Sequence, residues 1–245
     1  MGLLAGDFNR DGWVDVYVAN DAMGNYLYMN QGNGRFVDVA LEQGVAFSAN
    51  GDASSSMGGD LGDFDRDGDY DLLVPDMAYN NLYVRVADDL FEDRTAAVGI
   101  AEVSGQYVCW HGDFLDYDND GDLDVLITSG DAHHLTNTME PLLLANEQVP
   151  GKGYLFSDVS RSAGSGFFRR SIARGASAGD YDNDGDLDLF VLNLDQPSVL
   201  LRNDGGNRGH WLQVRLRGRR CNRDAVGAEV RVCAQGMVQS AQVLS

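Results

Sequence analysis

The chain has 245 residues, 44% of them hydrophobic, and sets 38 acidic residues against 18 basic ones for a formal charge of −20. Such a composition can bury a sizeable core and excludes a disordered polyanion. No apolar run approaches the roughly 20 residues of a transmembrane helix, and the acidic excess argues against a nucleic-acid partner.

The chain opens with Met1-Gly-Leu-Leu-Ala-Gly6 and is at once inside an acidic loop, Asp7-Phe-Asn9-Arg-Asp11-Gly12-Trp13-Val-Asp15. A leader has no room before it, so the sequence reads as a fragment. The following run, 14–19, is short and rich in branched apolar residues, as a buried strand is. Asn25–Asn30 and Arg35–Val39 then flank Gln31-Gly-Asn-Gly34, two alternating runs around a Gly-rich turn, which predicts a hairpin.

The same order returns three times. Loop 63–71 holds Asp63, Asp65, Asp67, Asp69 and Asp71, and leads into the apolar run 70–75 and the pair Asn81–Val84 and Leu90–Asp93. Loop 116–124 holds Asp116, Asp118, Asp120, Asp122 and Asp124, and leads into 123–128, Pro141–Leu144 and Tyr154–Asp158. Loop 180–188 holds Asp180, Asp182, Asp184, Asp186 and Asp188, and leads into 187–192 and Ser198–Asn203. Small residues precede the loops, as in Ser56-Met-Gly-Gly59 and Arg174-Gly-Ala-Ser-Ala178, and suit an innermost strand crowded near an axis. No stretch sustains a helical apolar period.

Loop starts at 7, 63, 116 and 180 are spaced by 56, 53 and 64 residues, near the range of radial repeat architectures. The expected fold is all-β: a β-propeller, or an open propeller segment, of about four four-stranded blades spanning 1–206.

The loop pattern D-x-[DN]-x-D-G-x-x-D explains itself chemically. Positions 1, 3, 5 and 9 are oxygen donors, a glycine at position 6 permits the sharp turn, and position 7 offers its carbonyl. An all-oxygen set of this size suits calcium. The expected side-chain ligands are Asp7, Asn9, Asp11 and Asp15; Asp63, Asp65, Asp67 and Asp71; Asp116, Asp118, Asp120 and Asp124; and Asp180, Asp182, Asp184 and Asp188, with the carbonyls of Trp13, Asp69, Asp122 and Asp186, for about four ions. An EF-hand is excluded, because loop position 12 is Val18, Val74, Ile127 or Val191 where a bidentate glutamate belongs, and because the exits read as strands.

The first loop has three aspartates and each of the others five, so the loops hold 18 of the 38 acidic residues and produce nearly all of the net charge. Like charges this dense repel strongly unless a cation neutralises them. With Asn9 and Trp13 in its pattern the first loop is expected to bind most weakly, and Asp113 is a competitor for the first ligand position of the third.

From Asn207 to Ser245 the character changes, with seven arginines against Asp224 and Glu229. His210–Leu216 and Gly227–Val232 alternate like half-buried strands joined by an arginine-rich turn, so 207–245 reads as a partial second β module. Cys221 and Cys233 flank this hairpin, where a bridge is geometrically possible, and Cys109 reads as a buried thiol.

No nucleophile elbow, zincin, P-loop or dinucleotide motif occurs. Catalysis is therefore unsupported. The rival to a non-catalytic role is a calcium-dependent polysaccharide-active enzyme, for which His133, His134 and Arg174 are the candidates.

The loops resemble the calcium-binding FG-GAP or VCBS repeats of integrin α-subunit propellers and of many secreted bacterial proteins. The tail from Arg174 through Asp188, then Leu200-Leu-Arg-Asn203, His210-Trp-Leu212 and Asn222–Ala228, is similar to the junction of last repeat and ASPIC/UnbV domain in the cartilage acidic protein family. That resemblance implies a calcium-braced scaffold with more blades than four, and so an open arc or part of a larger ring. Together with loops of low expected calcium affinity, it points to an extracellular or periplasmic setting and a protein or glycan partner.

Overall fold

The structure, a computed structural model, describes residues 2–77, 80–131, 134, 136–234 and 236–244. Seventeen strands are present among these residues. Blade 1 comprises β1 (Gly2–Gly6), β2 (Asp15–Ala19), β3 (Tyr26–Asn30) and β4 (Phe36–Asp38). Blade 2 comprises β5 (Asp60–Gly62), β6 (Asp71–Val74), β7 (Asn81–Ala87) and β8 (Leu90–Asp93). Blade 3 comprises β9 (Cys109–Leu115), β10 (Asp124–Ser129), β11 (Leu142–Val149) and β12 (Gly153–Asp158). Blade 4 has β13 (Ala173–Gly179), β14 (Asp188–Asn193) and β15 (Val199–Leu201), and a separate hairpin pairs β16 (Glu229–Ala234) with β17 (Met237–Gln242). The helices are confined to short turns such as Ile100–Ser104 and Ser160–Ala163, and no helix among the described residues is long and apolar enough to cross a membrane.

Every sheet is antiparallel, with its strands in chain order. The architecture is the expected propeller, with the difference that the fourth blade has three strands where four were expected. After Leu201 the chain turns through Asn203-Asp-Gly-Gly206, which binds back onto the acidic loops and leaves the sheet.

Each acidic loop joins the first strand of a blade to the second, and the register is the same throughout. The residue before the loop pairs with loop position 9, as Gly6↔Asp15, Gly62↔Asp71, Leu115↔Asp124 and Gly179↔Asp188. The loop therefore closes a hairpin, and its sequence spacing fixes strand register.

Apolar burial occurs at the seams between blades. Tyr17, Leu27 and Met29 of blade 1 pack with Leu72, Val74 and Tyr83 of blade 2. Leu73, Leu82 and Val84 of blade 2 pack with Val125, Ile127, Leu142 and Leu144 of blade 3. Leu115, Leu126 and Leu143 of blade 3 pack with Leu189 and with Phe167. Strands β6 and β10 are buried on both faces, whereas β2 alternates, because blade 1 has a neighbour on one side only.

The first strands face one another near the axis, β5 against β9 and β9 against β13. Small residues permit this at Gly62, where a Cβ would come within 2.8 Å of both Leu123 and Phe114. The expectation of small inner residues fails at β9, which carries Trp110, His111 and Phe114. Space there is filled by the Trp110 ring, with the Arg174 guanidinium stacked 3.9 Å from its centroid.

The tail corrects the expectation of a strand at His210–Leu216. His210–Leu216 forms no strand, and β16 pairs with β17, a polar run without apolar alternation, in the register Glu229↔Gln242. Cys221 and Cys233 are free and exposed, so no bridge joins them, while Cys109 is buried as expected and burial pushes its thiol up to about 12.

Candidate metal centre

The four loops share one hydrogen-bonding scheme. The carboxylate at position 1 accepts from the glycine N–H at position 6, at 2.8 Å for Gly12 to Asp7, 3.3 Å for Gly68 to Asp63, 3.0 Å for Gly121 to Asp116 and 3.1 Å for Gly185 to Asp180. The position 5 carboxylate accepts from the N–H at position 7 in all four, from Trp13, Asp69, Asp122 and Asp186. These glycines have φ between 88° and 100°, a conformation that a side chain would strain.

Position 9 has a different task. Asp15, Asp71, Asp124 and Asp188 are buried, and one oxygen of each accepts from the third strand or the segment after it, through Asn30, Arg85, Asn146 and Asn203 N–H. In three loops the other oxygen accepts from the N–H at position 2, of Phe8, Tyr117 and Tyr181. In the second loop that oxygen, Asp71 Oδ2, is buried without a hydrogen-bond partner.

Carboxylate oxygens converge in three loops. One oxygen from each of Asp63, Asp65 and Asp67 lies within 4.8 Å of the others, and the same holds for Asp116, Asp118 and Asp124 and for Asp180, Asp182 and Asp188. Each trio can hold a metal ion. Asp113 is not in the third trio; it lies beside His111, with Oδ2 2.8 Å from Nε2. In the first loop Asn9 donates to Asp11 at 3.1 Å, and Trp13 lies against Gly32.

Burial and then the neighbouring carboxylates hold these acids above their ordinary range. Asp15, Asp65 and Asp116 are pushed up to about 6 and Asp124 to about 8, and Asp71 is also raised well above the ordinary carboxylate range, by burial first. Crowded, desolvated carboxylates with an orphaned oxygen match what a hard divalent ion requires, because a bound cation would favour their ionised form. At position 7 the side chains of Asp69 and Asp122 turn away, toward Arg10 and Arg66.

Those arginines belong to a feature invisible in the spacing. Position 4 is left-handed in every loop, with φ of 59° at Arg10, 58° at Arg66, 55° at Asn119 and 62° at Asn183. The first three reach the next loop. Arg10 pairs with Asp69 at 3.4 Å, Arg66 Nε donates to Gly121 O at 3.2 Å, and Asn119 Nδ2 donates to Gly185 O at 2.9 Å. Loop is thus tied to loop around the arc.

The hairpin β16–β17 lies across the same face. Gln242 Oε1 accepts from Asp7 N–H at 2.7 Å and its Nε2 donates to Asp7 O at 3.2 Å. Ser240 Oγ donates to Asp63 Oδ2 at 2.9 Å, Gln239 Nε2 to Gly121 O at 2.9 Å, and Trp211 covers Gly185, where any Cβ would collide with the indole. The basic tail therefore rests on the acidic loops. Gln242→Ala, which orphans two backbone groups of the first loop, is expected to cost about 1–2 kcal/mol and to release the hairpin to proteolysis; urea unfolding and limited digestion measure both.

Of the remaining candidates, His133 lies outside the described residues, and His134 is exposed and bonded to Asp131 at 3.1 Å. Arg174, besides stacking on Trp110, has its Nη1 3.5 Å from Gly130 O, a carbonyl to which Trp110 Nε1 donates at 2.7 Å.

A carboxylate that the sequence did not single out stands on the axial side. Burial first, and Asp113 second, push Asp60 up to about 7, although it accepts from Phe114 N–H at 2.8 Å and from Leu61 N–H at 2.9 Å and faces His111. A carboxyl raised on folding binds an extra proton in the folded state. Its contribution is complete below about pH 4 and is lost as pH rises through about 7. In saturating calcium, Asp60→Asn is expected to flatten that slope, so that stability falls between pH 5 and pH 8 by about 2–4 kcal/mol less than in the parent protein, read from urea midpoints at the two pH values.

The profile of the FG-GAP-like repeat matches residues 7–74 and 63–127, which cover the first three loops and the strands from β2 to the first part of β10. Cartilage acidic protein 1 of Mus musculus is 27% identical over 227 residues, and that of Homo sapiens 26% over 227. Both alignments cover 87% of this chain, and 32% and 31% of the relatives, so the chain spans about a third of their length. A solved structure of an Agrocybe aegerita lectin, titled for recognition of non-reducing terminal N-acetylglucosamine, aligns over 82% of this chain and 51% of its own with 17% identity and a TM-score of 0.40. The repeat profile and the repeated loop geometry agree: this is a β-propeller of FG-GAP-like repeats, similar over most of its length to cartilage acidic protein 1.

Proposed function

We propose that the chain is a calcium-braced β-propeller scaffold that presents blade surfaces and connecting loops to a protein or glycan partner, outside the cytosol. The observation that carries this reading is the convergence of three carboxylates in each of three loops of equal register, at positions 1, 3 and 5 in the second and at positions 1, 3 and 9 in the third and fourth. In this reading, positions 1, 3, 5 and 9 and the carbonyl of position 7 hold the ion, from Asp63, Asp65, Asp67, Asp71 and Asp69 in the second loop to the corresponding aspartates in the third and fourth. Asp7, Asn9, Asp11, Asp15 and the Trp13 carbonyl form the weakest site.

Calcium supplies charge neutralisation and shape. It allows acidic turns to stand side by side at one end of the arc, where the position 4 residues and the C-terminal hairpin link them. Affinities of roughly 10⁻⁴–10⁻³ M, typical of extracellular calcium modules, fit a compartment rich in the ion. Relatives named for cartilage support the same setting.

Isothermal titration of chelator-stripped protein tests the reading. Heat of binding at three or four sites, with magnesium much weaker, is expected; no calcium heat at millimolar concentration sinks it.

A further inference from the structure

The second loop departs from the other three where the C-terminal hairpin touches it. In the first, third and fourth loops the N–H at position 5 donates to the position 1 carboxylate, at 3.1 Å from Asp11 to Asp7, from Asp120 to Asp116 and from Asp184 to Asp180. In the second, Asp67 N–H donates to Asp65 Oδ1 at 3.3 Å instead. Asp63 keeps one oxygen, Oδ1, on Gly68 N–H, and its other oxygen, Oδ2, accepts at 2.9 Å from the Ser240 hydroxyl. Among the described residues, Asp63 is the one position 1 carboxylate that accepts a hydrogen bond from outside its own loop.

Two further differences accompany that contact. The converging carboxylates of the second loop are Asp63, Asp65 and Asp67, whereas position 9 joins the trio in the third and fourth. Asp71, at position 9, has its Oδ2 buried without a hydrogen-bond partner.

The neighbouring anchors fix Ser240 in place. Gln242 brackets the backbone of Asp7 in the first loop with two bonds, and Gln239 Nε2 reaches Gly121 O of the third. Between them in β17, Ser240 is 8% exposed and the Asp63 beneath it 6%. The lone pairs of a carboxylate suffice for a hydroxyl donor and a cation together. A donor held by a strand fixes the orientation of the carboxylate, and such outer partners of metal ligands are worth about 10–100-fold in metal affinity.

We propose that Ser240 is a positioning residue of the second metal loop, so that calcium binding there and docking of the hairpin β16–β17 are linked. The proposal rests on the calcium reading of the loops. By reciprocity, the factor by which docking raises calcium affinity is the factor by which calcium strengthens docking. The link belongs to the second loop, because the hairpin meets the first and third through their backbone groups.

Calorimetric calcium titration of chelator-stripped protein tests this in the parent, Ser240→Ala, Asp65→Ala and the double variant. Ser240→Ala is expected to weaken one site about tenfold and to leave the others unchanged. Ser240→Thr, which keeps the hydroxyl, is expected to retain the parent affinity. Once Asp65→Ala has disabled the second site, adding Ser240→Ala is expected to change nothing. Limited proteolysis reads the reciprocal effect: calcium is expected to slow cleavage in the hairpin about tenfold in the parent and little in Asp65→Ala. An unchanged isotherm for Ser240→Ala, in a parent that binds calcium, overturns the inference and leaves the calcium reading standing. No calcium heat in the parent overturns both. Equal weakening of every site, or the same loss in Ser240→Thr, assigns the effect to the hairpin as a whole and overturns the role of the hydroxyl.

Discussion

Removal of calcium is expected to lower the melting temperature by about 10–20 °C. With a dissociation constant near 10⁻⁴ M, 2 mM calcium stabilises by about 1.8 kcal/mol per site, through preferential binding to the folded state. The three aspartate-rich loops together contribute about 5 kcal/mol, and a chain of this size loses about 2–4 °C per kcal/mol. The physical source is the crowding described above: Asp63, Asp65 and Asp67 bring three oxygens within 4.8 Å, and without a cation that proximity is repulsive. Thermal scans in excess chelator and in 2 mM calcium make the comparison, with magnesium as control. Coincident transitions would remove calcium from the account of this fold.

The second large effect separates ligands that only bind metal from those that also build the blade. Asp124 accepts from Tyr117 N–H at 3.1 Å and from Asn146 N–H at 2.9 Å, joining the loop start to β11. Asp124→Ala leaves both donors without a partner at a buried site, at about 1–3 kcal/mol each. A loss of about 3–5 kcal/mol is expected even in chelator, with a further loss in calcium. Asp118 is half-buried, and the bonds it accepts, 3.3 Å from Asp120 N–H and one from the Tyr117 hydroxyl, stay within the loop. Asp118→Ala is expected to be nearly neutral in chelator and destabilising by about 2 kcal/mol in calcium. Urea unfolding of the two variants under both conditions gives four numbers. Equal behaviour of the pair would show that position 9 is no more structural than position 3.

The blades were legible because their signals are local. Val125–Thr128 and Leu142–Leu144 are apolar runs beside a turn, and in a small antiparallel sheet sequence neighbours become space neighbours. Position 9 stood out in the sequence as a recurring aspartate, yet its bonds to Asn30, Arg85, Asn146 and Asn203 did not, since they reach 14 to 22 residues along the chain. The tail was misread for a related reason. His210–Leu216 alternates as a strand does but finds no partner edge, while Met237–Gln242 lacks apolar alternation and becomes one because its glutamines and Ser240 bond to the loops beneath.

The sequence by itself determined the repeat, the strands that follow each loop and the concentration of carboxylates in the loops, because these signals are local along the chain. The tertiary structure decided what joins the units. Position 4 reaches the next loop only because its left-handed backbone aims it there, β17 crosses loops more than a hundred residues away, and Phe190 is exposed where Tyr17, Leu73 and Leu126 are buried. Those relations depend on how blades are placed around an axis, which the spacing of aspartates along the chain does not encode.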